Sequence, residues 1–314
     1  MLPSIKDLKP EELKDKTVWL RVDFNVAITD GKVTEGYRID RSLDTINFLK
    51  NSGAKIILAT HLSDKASSLE PVVEYLKQKI SLDGITILPN LRTFVGEEEN
   101  SEALAREWAS VADIYVNEAF SASHREHASI VSMPKLLPHY AGLNFIDEVE
   151  NLSKCFEPVH PSLLVVGGAK LESKQPVIDK FKSIVDKILV GGKLVYEFLN
   201  NTDTQIVMSK EFVRDGEKIF DVIITDEIKE LVKNSKRIIW AGPMGMYDAG
   251  YAQGTLDLAE IIAESEAESI IGGGDTIAAI PPSLIPQFSF VSTGGGAMLQ
   301  FLATGTLPGI EALK

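Results

Sequence analysis

The chain has 314 residues, 44% apolar and 25% charged, with 45 acidic against 32 basic side chains and a formal charge of −13. This composition is ordinary for a folded chain and excludes an intrinsically disordered one. The acidic balance argues against non-specific nucleic-acid binding, and at roughly 100–200 residues per domain the length suggests two domains.

In chain order, short β-branched runs are expected as strands at residues 17–23, 55–60, 85–88 and 114–117. They recur at 162–167, 187–192, 237–242, 269–274 and 288–293. Helical periodicity falls between them at 41–52, 69–80, 102–110, 147–156, 175–185 and 256–265. Near-continuous apolar strands alternating with helices read as βαβ units, hence mostly parallel sheets covered on both faces. The boundary between the halves is expected at 144–161, where Val149, Leu152 and Phe156 form one helical stripe and Pro158 and Pro161 end it. A helix there would serve as a hinge. Two such halves could set the carboxyl ends of two sheets opposite one another, the edge where open α/β sheets bind ligands.

The single cysteine, Cys155, excludes an internal disulfide and any multi-cysteine metal centre, and points to a reducing, cytoplasmic compartment. The first residues turn polar too early for a secretory signal. Residues 276–310 carry no charge, but Pro281, Pro282, Pro286 and Gly294–Gly296 interrupt them, so no membrane helix is expected.

Four Gly-rich turns follow strands in the second half: Gly167-Gly168-Ala169-Lys170, Gly191-Gly192-Lys193, Gly272-Gly273-Gly274-Asp275-Thr276 and Gly294-Gly295-Gly296. Glycine lets a backbone approach a ligand closely, and a helix N-terminus offers free N–H groups to phosphate. None of the four matches a Walker loop or a dinucleotide fingerprint, which disfavours a dinucleotide oxidoreductase. Lys170 and Lys174 would share a face if their segment is helical, and they suit a polyphosphate. Asp275 and Thr276 read either as a helix cap or as a Mg²⁺ ligand beside nucleotide phosphates. The first half carries separated cations, Arg21, Arg38, Arg92 and Arg125, with His61; together they could form a basic patch at one sheet edge. His124 and His127 lack a third metal ligand, and Arg125 between them would repel a cation.

The ordered motifs RVDFNV (21–26), Arg38, THL (60–62), NLRTF (90–94), VNEAFSASHREHAS (116–129), GGAKLESK (167–174), VGGK (190–193), WAGPMG (240–245), GGGDT (272–276) and STGGGAMLQFLATGTLPGI (292–310) resemble the phosphoglycerate kinase family along nearly the whole chain. The resemblance implies an α/β fold of two Rossmann-like domains, each a mostly parallel sheet flanked by helices, joined by a hinge helix. Residues 1–143 would bind 3-phosphoglycerate or 1,3-bisphosphoglycerate, 144–160 would be the hinge, 161–298 would bind Mg-ADP or Mg-ATP, and 299–314 would return to the first domain. By position, Asp23, Asn25, Arg38, His61, Arg92 and Arg125 would hold the glycerate. Arg38 and Lys170 would stabilise the transferring phosphoryl group, with N–H groups of Gly294, Gly295 and Gly296. The resemblance puts Gly168, Lys174, Gly272, Gly273, Gly274 and Thr276 around the nucleotide phosphates. Gly191 and Gly192 would flank the adenine, Pro243 the pocket and Asp248 the ribose. Asp275 would take Mg²⁺. A monomer is implied.

Several positions depart from the family pattern. Asp64 stands where an arginine is usual, leaving Lys65 as the nearest substitute; Ala241 replaces an asparagine, Lys193 a glycine and Asp248 a glutamate. Residues 200–237 read as one strand–helix connection in place of a long insertion, so weaker or less selective nucleotide binding is expected. One lost cationic contact would weaken substrate binding by about 1.5–3 kcal/mol. These departures leave open a non-catalytic relative or a kinase of another carboxylate.

Overall fold

The run Thr17–Arg21 becomes a strand because its side chains suit a sheet buried on both faces. Val18 and Leu20, with Val22 and Phe24 beyond, pack against Ile39, Ile46 and Leu49. Trp19 turns to the other face, with ring centroids 5.8 Å from Tyr115 and 5.4 Å from Trp108. The computed structural model describes residues 2–65 and 67–314. In it this strand is the centre of a five-stranded parallel sheet, ordered Ile85–Ile87, Lys55–Ala59, Thr17–Arg21, Ile114–Asn117, His139–Ala141. The helix Tyr37–Asn51 covers one face with Ile39, Ser42, Thr45, Ile46 and Leu49, the spacing of a single helical stripe. Each such fully buried Leu or Ile contributes about 1.5–3 kcal/mol of apolar burial.

The chain divides into two units: the residues to Val149 together with Thr306–Lys314, and Glu150–Gly305. The second unit holds a six-stranded parallel sheet, ordered Ile206–Met208, Lys187–Val190, Ser162–Val166, Arg237–Ala241, Glu268–Gly272, Phe290–Ser292. Counted within each unit, the strand orders are 3-2-1-4-5 and 3-2-1-4-5-6. The order reverses between strands 1 and 4, and the crevice at their carboxyl ends is where open α/β sheets take ligands. That point falls at Arg21 and Asn117 in the first unit and at Val166 and Ala241 in the second.

Two sequence expectations need correction. Residues 200–237 are more than one strand–helix connection: they hold the sheet strand Ile206–Met208, an antiparallel hairpin Phe212–Asp215/Lys218–Val222 and the helix Asp226–Asn234. The hairpin turns at Gly216-Glu217, between the paired Asp215 and Lys218, with Gly216 at φ +56°. Lys170 and Lys174 do not share an α-helical face. They flank a 3-10 turn, Leu171–Ser173, and the α-helix starts only at Gln175, whose successor Pro176 suits a first turn. Apart from 114–117, which is met as expected, the predicted strands run one or two residues long at their carboxyl ends, and the helix expected at 147–156 spans Leu143–Lys154. Among the described residues no helix is long and apolar enough to cross a membrane.

Candidate active site

The first unit's switch point gathers all six of its expected ligand residues into one connected cluster. Asp23, just past the central strand, accepts hydrogen bonds from the Ser121 hydroxyl and, at 3.1 Å, from the Asn25 amide. Arg38, second in its helix, donates to the Asn25 carbonyl at 3.1 Å and lies 3.5 Å from Asp23 Oδ2. The Asn25 side chain accepts from the Ser63 amide at 2.8 Å. Arg92 reaches the same loop through the Ser63 carbonyl at 2.7 Å. His61 Nδ1 is 3.6 Å from Asp23 Oδ1 and its Nε2 is 3.3 Å from Arg125 Nη1.

The charges here are unbalanced toward the positive. Burial pushes the Asp23 carboxyl up, but the Arg38 and Arg21 guanidiniums and the Ser121 hydroxyl hold the group well below the usual carboxylate range. Burial, reinforced by Arg21, Arg125 and Arg92 against Asp23, pulls the His61 imidazole down to about 3, so it is neutral. Burial and then Arg92 lower the Arg125 guanidinium. Guanidiniums crowded around a neutral histidine make a seat for an anion that the chain's own charge of −13 would otherwise repel.

At the second switch point the strand-end turns meet main chain to main chain. Gly168 N–H donates to the Pro243 carbonyl at 2.8 Å, Gly192 N–H to Met244 at 2.8 Å and Gly191 N–H to Val166 at 2.9 Å. Gly242 sits at φ +104°, and a Cβ there would come within 2.3 Å of the Gly167 carbonyl oxygen. In front of these turns lies a cavity of about 210 Å³, lined in part by Gly168, Pro243, Asp248 and Asp275. That is below the roughly 300–1,000 Å³ of a whole small-molecule pocket, so it receives one part of a ligand.

The remaining expected residues stand along the same carboxyl edge. Gly272 ends its strand, Gly273 takes φ +106°, and Gly274 opens a short helix with Asp275 and Thr276. Thr276 is buried and its hydroxyl accepts from the Gly242 amide at 2.9 Å. Gly294 N–H donates to the Ser292 hydroxyl at 3.0 Å, and Gly295 precedes the helix Gly296–Thr304. Lys170 is exposed; Lys174 is lowered by burial and by Lys170 while Asp275 raises it, so the three charges share one neighbourhood. Gly191 and Gly192 are not in the cavity wall. They are buried behind it with their amides already bonded.

Sequence reasoning missed Ser121, Glu97, Ser129 and Tyr247. Ser121 and Ser129 lie inside the run 116–129, but no spacing singled them out, and a lone Glu97 carries no signal; Tyr247 stood beside the marked WAGPMG run and could have been flagged. Lys65, the substitute expected near Asp64, pairs instead with Glu98 at 2.7 Å. Among the described residues no three His, Cys, Asp or Glu side chains cluster as a metal cage. A lone exposed carboxylate such as Asp275 still fits Mg²⁺, which takes one or two protein carboxylates when phosphates supply the other oxygens.

The phosphoglycerate kinase family model matches residues 5–84, 78–225 and 202–305. A solved phosphoglycerate kinase from Coxiella burnetii is 30% identical with a TM-score of 0.83, over 100% of this chain and 99% of that one. One from Pyrococcus horikoshii OT3 is 25% identical with a TM-score of 0.86, over 99% and 98%. By its family match, the chain is an α/β phosphotransferase whose two parallel sheets each carry one of these clusters at its switch point. The chain belongs to the phosphoglycerate kinase family.

Proposed function

We propose that the chain catalyses ADP + 1,3-bisphosphoglycerate ⇌ ATP + 3-phosphoglycerate. The observation that carries this reading is the seat in the first unit, where His61 Nε2 and Arg125 Nη1 lie 3.3 Å apart within a ring of guanidiniums. Asp23, Asn25, Arg38, His61, Arg92 and Arg125 would hold the glycerate carboxyl and phosphate. Gly168, Lys174, Pro243, Asp248, the Gly272–Gly274 turn and Thr276 would hold the nucleotide, with Gly191 and Gly192 fixing the wall behind it. Asp275 would hold Mg²⁺, whose charge neutralises the nucleotide phosphates. Phosphoryl transfer asks for in-line placement and charge stabilisation more than covalent chemistry. Arg38 and Lys170 would supply positive charge to the transferring group, and the Gly294 and Gly295 region main-chain dipoles. The helix Leu143–Lys154, within which the division between units falls, is the candidate hinge.

Steady-state phosphorylation of 3-phosphoglycerate by Mg-ATP tests the reading. Turnover is expected in the wild type, with a loss of about 10²–10³-fold or more in Lys170→Ala and none after Mg²⁺ is chelated. A folded wild type without turnover would overturn it.

A further inference from the structure

Behind the cationic cluster runs a buried line of polar groups that makes none of the proposed ligand contacts. Glu97, 1% exposed, lies in the turns before the helix Glu102–Ala109. Its two carboxylate oxygens accept the Ser129 amide at 2.9 Å and the Ser129 hydroxyl at 2.6 Å. Ser129 Oγ accepts Arg21 Nε–H at 2.9 Å. Arg21, wholly buried at the end of the central strand, brings Nη2 to 3.2 Å from His61 Nδ1. His127 Nδ1 lies 3.7 Å from Glu97 Oε1, on a ring that burial and the Arg21 and Arg125 guanidiniums keep neutral.

The proton count along this line is fixed as far as Arg21, and a neutral His61 accepts from only one of its two guanidinium neighbours, of which Arg21 at 3.2 Å is the nearer. A hydroxyl has one proton, and Ser129 gives it to Glu97, so Ser129 turns a lone pair to Arg21. A guanidinium only donates, so His61 Nδ1 accepts. A neutral imidazole carries one N–H, which then sits on Nε2, beside Arg125 Nη1. Two donors converge with no acceptor between them, and an anionic oxygen satisfies both. The competing tautomer would aim Nδ1–H at Asp23 Oδ1 over the longer 3.6 Å and let Nε2 accept from Arg125, closing the seat.

We propose that Glu97 and Ser129 are positioning residues that act through Arg21 to hold His61 in its Nε2–H tautomer, making His61 and Arg125 a two-donor seat for an anionic substrate oxygen. The proposal rests on the reading that 3-phosphoglycerate occupies this cluster. Nitrogen-15 NMR of the histidine side chains of the full chain, with His61 assigned by the His61→Asn spectrum, reads the tautomer directly. The wild type is expected to show Nε2–H. Ser129→Ala is expected to shift His61 toward Nδ1–H and to raise KM for 3-phosphoglycerate roughly tenfold with kcat within about twofold; Ser129→Thr, which keeps the hydroxyl, restores both. Nδ1–H in the wild type, a measurement that needs no variant, would overturn the proposal, as would a folded Ser129→Ala with tautomer and KM unchanged. Failure of the substrate reading shows separately, as an Arg125→Ala protein that binds 3-phosphoglycerate as tightly as the wild type.

Discussion

His61 sits among guanidiniums and titrates at about 3, whereas in an unfolded chain it titrates near its ordinary 6.5. As pH falls through 6.5 the unfolded chain takes up a proton that the folded one refuses. The stability tied to neutral His61 is therefore complete above 6.5 and lost progressively toward 3. Relative to wild type, His61→Asn is expected to lose this contribution, so the gap in urea midpoint between the two narrows from pH 7.5 to 4.5. Equal slopes would show that burial of the neutral imidazole is not what the folded state protects. At this scale the sequence was informative wherever motif order fixed a residue, as for Asp23, Arg38, His61 and Asp275. It was silent on Glu97 and Ser129, which stand 32 positions apart and meet only because the fold folds back there.

The helix Leu143–Lys154 begins four residues ahead of the sequence reading for a reason that no local pattern carries. Its first amides are capped by Glu118, which accepts Asn144 N–H and Phe145 N–H at 3.2 Å each and the Thr45 hydroxyl at 2.7 Å. At the far end Arg237 donates to the Lys154 and Glu157 carbonyls at 2.6 and 2.9 Å. Burial pushes the Glu118 carboxyl up to about 8 against those hydrogen bonds and Arg41, which lower it. A raised carboxyl binds its proton in the folded state first, so its contribution is complete below about 4.5 and lost as pH rises toward 8. Relative to wild type, Glu118→Gln is expected to lose this decline, flattening stability between pH 5 and 8 in denaturant titrations; an unchanged profile would assign the carboxyl an ordinary titration. The hairpin that turns at Gly216-Glu217 was, by contrast, legible. Asp215-Gly216-Glu217 between the runs FVR and KIF is a direct hairpin signal.

Each unit repeats the same reversal of strand order, and each reversal carries one half of the proposed site. Alternating strands and helices revealed parallel sheets but not strand order, because apolar runs look alike wherever they lie in a sheet. Order comes from long-range packing, and it is order that turns scattered motifs into two clusters. The two halves are expected to respond separately to ligands. In hydrogen exchange, 3-phosphoglycerate should protect amides at Asp23–Asn25 and Asn117–Arg125, and Mg-ADP those at Gly168–Lys174 and Gly272–Thr276. At a hundredfold excess over Kd each ligand stabilises its unit by about 2.7 kcal/mol. Protection by either ligand confined to the other's residues would reverse the assignment of the halves.

Because Gly167, Gly192 and Gly242 press main chain on main chain, the rear of the glycine-walled cavity is rigid in an evolutionary sense as well as a mechanical one. A methyl group at 242 has nowhere to go, and one at 192 would strike the Gly168 backbone at 2.6 Å. Lys193, Met246 and Tyr247 at the front face no such barrier. Drift and design alike can therefore retune what the cavity accepts by rewriting its front, while the edge that orients the chemistry is inherited intact.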